Sequence, residues 1–300
     1  MNYDIVIAHR VSPALSKTSV GFTTKRDLVC STTRSLAEAL ERFDGRIRLI
    51  VILDGCPPEY EAVFRRFFPD SGAVRMDFVR TPEIGNQATF AKQIEVLLAA
   101  EDADLVYFSE DDYLYAPDAF KAMAKFIRHS GAAFVTPLDH PDRYNQRLEK
   151  PRPSAIRVSA HLHWRTVGTS CLTFMTSRDV LLRSHEALET YARGAMDGTM
   201  WLGITKEDVF NPAILFRAAI FFLFRVKAGF GAFMPLCAWK SHGIRLLTRP
   251  RFELWAPMPT LAVHLSSTSL PLFAERHIPG FVEVSTESIQ NLSARYLNLP

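Results

Sequence analysis

Cysteine is scarce in this chain: Cys30, Cys56, Cys171 and Cys237 lie far apart and form no CxxC pair. No disulfide framework follows from such spacing, and the four read as reduced structural thiols in a reducing compartment. An excess of one charge is lacking too, with 35 Lys and Arg scattered among 32 Asp and Glu. That balance argues against nucleic acid as a partner. No apolar run approaches the roughly 20 residues needed to span a bilayer. The N-terminus lacks the basic start and apolar stretch of a signal peptide, so a cytoplasmic location is expected. Repeats and low-complexity tracts are absent as well.

What is present is a large apolar fraction, 48% of 300 residues, enough to bury one sizeable core and to exclude a disordered or fibrous chain. The first half alternates short apolar runs with amphipathic segments. Ile5–Ala8 is followed by a helical pattern through Leu28, Thr32, Leu36, Leu40 and Phe43. Leu49–Leu53 is followed by helical Glu59–Phe68, then by Phe78-Val79. A helix with Phe90, Ile94, Leu97 and Leu98 on one face leads to Leu105–Phe108. The strands are continuous apolar runs, which suits a mainly parallel, doubly wound α/β sheet covered on both faces.

Ligands of such sheets bind beyond the carboxyl ends of the strands. There stand His9 and Arg10, Asp54, Thr81, and the run Ser109-Glu110-Asp111-Asp112. Three carboxylates after a buried strand are costly unless neutralised, and a divalent cation such as Mn²⁺ or Mg²⁺ is the simplest neutraliser. Such a cation also binds phosphate, so the cluster can hold a metal-diphosphate ligand.

In the order of its elements over residues 3–210 the chain resembles the GT-A glycosyltransferases, in particular the family 2 inverting nucleotide-sugar transferases. The matching pieces are the first strand with its polar end and Val51-Ile52-Leu53-Asp54-Gly55, similar to a strand ending in a base-contacting Asp. Gly85-Asn86-Gln87 with Lys92 precedes the central helix, and Tyr107–Asp112 looks like the family's DxD segment. The resemblance implies a nucleotide-sugar donor bordered by His9, Arg10, Asp54, Asn86, Lys92, Glu110 and Asp111, with Asp111 able to face the ribose. Val167–Phe174 resembles the small-residue segment lining donor sugar and acceptor, through Gly168, Thr169 and Ser170. Pro259–Ser267 resembles a C-terminal segment whose His, here His264, reaches back to the metal. Asp112 is then the principal metal ligand, because Glu110 replaces the usual first Asp. His161-Leu162-His163 could set two imidazoles on one strand face.

Inverting transfer needs a carboxylate to deprotonate the acceptor hydroxyl. Asp197 is ranked first as that base and Asp208, in a Glu207-Asp208 pair, second. Residues 1–136 are expected to bind the nucleotide-sugar and residues 137–300 a glycan or lipid-linked acceptor, the two halves forming one continuous domain. The aromatic and basic stretch 213–239 suggests peripheral contact with the inner face of a membrane. A sugar-phosphate nucleotidyltransferase is the rival enzyme, opposed by the absence of glycine in Ala8–Pro13 where a phosphate loop would stand. A dinucleotide-binding oxidoreductase is opposed by the same absence. A catalytically inactive GT-A-like protein that binds nucleotide or glycan is the non-enzyme rival.

Overall fold

The computed structural model of the chain describes residues 3–15, 24–69, 73–140, 154–216, 220 and 230–265. Strands β1 (Tyr3–Val11), β2 (Ile47–Asp54), β3 (Val74–Thr81) and β4 (Ala103–Glu110) alternate with helices α1 (Lys25–Glu41), α2 (Glu59–Phe67) and α3 (Asn86–Leu98). Ile5, Val6, Ile7 and Ala8 of β1 are all fully buried. A strand whose every side chain is apolar must be covered on both sides, and this one is. Ile5 and Ile7 pack with Val29, Leu36, Tyr60 and Phe64 from α1 and α2. Val6 and Ala8 pack on the other face with Phe90, Ile94 and Leu97 from α3.

The chain continues through β5 (Tyr113–Tyr115), α4 (Ala119–Ser130), β6 (Phe134–Val135), β7 (Ile156–Ser159), β8 (Leu162–Val167), β9 (Phe174–Ser177) and α5 (Arg178–Ala192). Then come α6 (Asp197–Thr205), α7 (Phe230–His242), α8 (Arg245–Thr248), β10 (Leu254–Met258) and β11 (Ala262–His264). Nine strands form one sheet in the order β3-β2-β1-β4-β9-β6-β10-β8-β7, and β5 pairs with β11 in a separate ribbon. The sheet is mainly parallel, as expected, but β9 and β8 run against their neighbours. Those two reversals lie in the half whose strands are short, where the sequence pattern is least regular.

Among the described residues no helix is long and apolar enough to cross a membrane. Within 213–239, residues 217–219 and 221–229, with Arg217, Phe221, Phe222, Phe224, Arg225 and Lys227 among them, lie outside the described residues.

Candidate active site at the strand ends

Strand order reverses between β1 and β4, since β1 leads outward through α1 to β2 while β3 returns through α3 to β4. The crevice at such a switch point is where open α/β sheets bind ligands. Parallel register sets Arg10 opposite Glu110 and His9 opposite Ser109 at its mouth.

Arg10 and Glu110 are joined by a 2.6 Å ion pair between Nη2 and Oε1. Arg10 also donates to the Asn86 carbonyl at 2.7 Å, and the second oxygen of Glu110 accepts from Thr173 Oγ1 at 3.1 Å. Burial works against the guanidinium charge, but Glu110 outweighs it and the pKa of Arg10 rises. Glu110 is therefore held as an ion-pair partner.

Asp111 is buried, with Oδ1 at 2.8 Å from Lys25 Nζ and Oδ2 accepting from Ser12 N at 2.9 Å. Burial pushes its carboxyl up and Lys25 opposes the rise. In this arrangement Asp111 clamps the exit of β1 to the start of α1 instead of facing an open ribose position.

Asp112 turns the other way. Its Oδ2 lies 3.1 Å from His264 Nε2, and its carbonyl accepts from Leu265 N at 2.8 Å. The ribbon of β5 and β11 carries this approach, with His264 opposite Tyr113 and the two rings stacked at 4.7 Å. Burial alone would keep the imidazole neutral, yet the charge and hydrogen bond of Asp112 hold it well above the usual histidine range. A carboxylate oxygen beside an imidazole nitrogen is a donor set that fits a divalent cation of the Mn²⁺ type, which Asp112 and His264 would hold. Among the described residues no three His, Cys, Asp or Glu side chains gather as a metal site. Such a cation would take its remaining ligands from bound phosphate or water.

Asp197 opens α6, half-buried, with its Oδ1 accepting from Gly198 N at 2.6 Å. Burial raises its pKa first of all; the Gly198 bond lowers it, Glu110 raises it and His264 lowers it. The charges of Glu110 and His264 thus reach Asp197. The Gly168–Cys171 stretch runs beside α6, tied by Thr205 Oγ1 to the Gly168 carbonyl at 3.0 Å and Trp201 Nε1 to the Cys171 carbonyl at 3.1 Å. Ser170 donates to Thr136 Oγ1 at 2.9 Å. A Cβ on Gly168 would fall 1.9 Å from Glu207 Oε2, so glycine lets that carboxylate lie against the backbone. Asp208 adopts a left-handed conformation (φ 56°) and accepts from Asn211 Nδ2 at 3.3 Å, the posture of a turn residue.

Other expected residues are placed differently. Asp54 accepts from Thr81 Oγ1 and Ile84 N on one oxygen and from Gly85 N on the other, so it organises the loop into α3 instead of presenting a free edge to a base. Lys92 pairs with Glu95 on the side of α3, remote from the helix start. Asn86 is exposed at that start. His9 is a core residue, 1% exposed, against Phe64 and 2.8 Å from Ser109 Oγ, and burial lowers its pKa to about 3. His161 sits in the β7–β8 turn with φ 64°, so it shares no strand face with His163.

Neither a family model nor a curated protein matches the chain. Solved structures do. The chain is similar to the galactosyltransferase LgtC in complex with donor and acceptor sugar analogues, at 14% identity and a TM-score of 0.45, covering 98% of this chain and 97% of that one. It is similar to the mannosyltransferase PcManGT from Pyrobaculum calidifontis in complex with GDP-Man and Mn²⁺, at 12% identity and a TM-score of 0.42, covering 99% and 83%. A third is 4-diphosphocytidyl-2C-methyl-D-erythritol synthase, at 14% identity and a TM-score of 0.36, covering 67% and 84%. Likeness at these values does not fix a family.

Sequence reasoning missed Lys25, Cys171 and Thr173 as parts of the site. Lys25 had a visible oddity, because a cation in the first turn of a helix opposes the helix dipole unless it has another use. Thr24 caps that helix by accepting from Asp27 N.

Proposed function

We propose that the chain is a glycosyltransferase of the GT-A type that moves a sugar from a nucleotide-sugar donor to an acceptor hydroxyl, with inversion and with a divalent cation. The observation that carries this reading is the approach of Asp112 and His264 at the switch point, across 152 positions of sequence. A carboxylate and an imidazole are brought together at the place where a sheet of this kind binds its ligand, and a cation would replace the imidazole proton on binding. Asp112 and His264 would hold the cation, which when bound would stabilise the negative charge growing on the leaving diphosphate.

Arg10, Asn86 and the Gly168–Ser170 stretch border the donor in this reading. Asp197 accepts the proton of the attacking hydroxyl; partial burial excludes water and makes it a better base than an exposed carboxylate. The acceptor half begins near residue 137, and the acceptor is a glycan or a lipid-linked glycan. A location on the cytoplasmic side of a membrane accords with the exposed apolar side chains near the second half of 213–239. Phe233 is exposed, and so are Ile244 (71%) and Leu247 (56%), next to Lys240 and Arg245.

The test is incubation with UDP-, GDP-, CMP- and dTDP-sugars, with and without Mn²⁺, reading thermal stabilisation and release of nucleoside phosphate. One donor class should raise the melting temperature only with the cation. Release of inorganic diphosphate from a nucleoside triphosphate, with no action on any nucleotide-sugar, would replace this reading with a nucleotidyltransferase.

A further inference from the structure

We propose that Cys171 is a positioning residue for the cation site: its sulfur faces His264 Nδ1 at 3.9 Å and thereby commits the opposite ring nitrogen, Nε2, to Asp112. The inference rests on the reading of Asp112 and His264 as cation ligands and adds what orients them. An imidazole has two nitrogens, and a ligating histidine needs the second one engaged so that tautomer and ring orientation are set. The usual partner is a carboxylate or carbonyl; here it is a thiol.

Three contacts confine the ring. Antiparallel pairing with Tyr113 fixes the backbone of His264. The Tyr113 ring lies nearly parallel to the imidazole, 11° between planes, and limits its tilt. Neither contact resists a half-turn of the ring, which would exchange Nδ1 with Cδ2 and Nε2 with Cε1. Cys171 does resist it, because its sulfur faces Nδ1 and would then meet a carbon, and the same orientation keeps Nε2 toward Asp112 and the cation. Cys171 is itself anchored, with its carbonyl bound by Trp201 Nε1 at 3.1 Å. Trp201 lies in α6 one turn beyond Asp197, so this cysteine joins the cation pair to the helix that bears the proposed base.

The experiment titrates the protein into Mn²⁺ and follows loss of the electron paramagnetic resonance signal of the free ion. Cys171→Ala should weaken Mn²⁺ binding about tenfold, at the lower end of the range for removal of such a partner because sulfur is a weak acceptor. Cys171→Ser, whose oxygen also accepts from Nδ1, should stay within about threefold of the parent. Cys237→Ala, remote from the site, should bind Mn²⁺ as the parent does. Ring nitrogen NMR of the metal-free protein should find the Nδ1 resonance of His264 moved in Cys171→Ala and returned toward the parent position in Cys171→Ser. Thermal melts establish that each variant is folded; should Cys171→Ala not fold, Cys171→Val keeps the volume without the orienting atom and takes its place. Parent-like Mn²⁺ affinity and a parent-like Nδ1 resonance in the Ala or Val variant would overturn the role of Cys171 alone. A parent protein with no saturable Mn²⁺ binding would overturn the cation reading itself, and this inference with it.

Discussion

At Asp197 the carboxylate proposed to take up a proton sits half-buried at the start of a helix, close enough to Glu110 to register its charge. Asp197→Asn keeps the shape and removes the proton acceptor, so turnover should fall about a hundredfold or more with donor affinity nearly unchanged. Asp208→Asn should keep most of the turnover, because Asp208 is occupied in a turn. A single-turnover assay of both variants decides between them. Since burial raises the pKa of Asp197, activity should fall at a higher pH than for an ordinary carboxylate as the solution is acidified. Glu110→Gln should move that limb to lower pH by removing a negative neighbour. His9 and His242 make a separate statement about stability. Burial lowers them to about 3 and about 4, so both are neutral in the folded chain at pH values where the unfolded chain would protonate them. The unfolded state then binds more protons, and stability should decline as pH falls below about 6.5 toward those values. Melting temperatures between pH 7 and 4.5 check this, and the slope should shrink in His9→Gln.

Among the elements, α6 shows how closely the second half is fitted. Gly203 lies under the ring of His242, and a Cβ there would fall 2.0 Å from Nε2. Alanine ordinarily favours a helix over glycine by about 1 kcal/mol, yet Gly203→Ala should destabilise this protein, because a buried imidazole has no room to retreat. Chemical denaturation of Gly203→Ala would show a lowered midpoint. β1, β2 and β4 were legible because each holds a continuous apolar run, long enough to declare itself and bounded by amphipathic helices, whereas β3 at the sheet edge alternates and showed only Phe78-Val79. β6 to β11 were not, since strands of two to six residues carry no periodicity and the reversals at β8 and β9 are set by which edges remain to be paired. The same division holds in the site. Carboxylates at strand ends announce themselves by their cost, whereas their partners are chosen by packing across long separations: 86 positions for Lys25 with Asp111, 63 for Thr173 with Glu110 and 93 for Cys171 with His264. Asp54 and Lys92 matched a pattern in sequence that did not show their partners: Gly85, 31 positions from Asp54, and Glu95, three from Lys92.

For the molecule as a whole, the proposed division near residue 136 runs through one sheet, because β9 from the later half inserts between β4 and β6 of the earlier. Residues 1–136 alone would leave β4 and β6 as unpaired edges, so that fragment should be insoluble or unfolded while the full chain melts in one transition. Circular dichroism of both tests it. At the same scale, flotation with anionic vesicles should carry the protein upward, and Ile244→Ser with Leu247→Ser should reduce the floated fraction; no flotation of the parent would remove the membrane contact from the proposal. The ribbon of β5 and β11 has a further consequence, in the order of events during synthesis. Asp112 emerges from the ribosome more than a hundred residues before the strand that carries His264. Domains fold broadly as their chain emerges, and contacts so distant in sequence form late. The acidic turn after β4 is therefore made long before its histidine and before β9, the strand that closes the β4 edge. In the proposed reading a nascent chain at that stage has neither cation nor donor, and both are gained together when the last strands arrive.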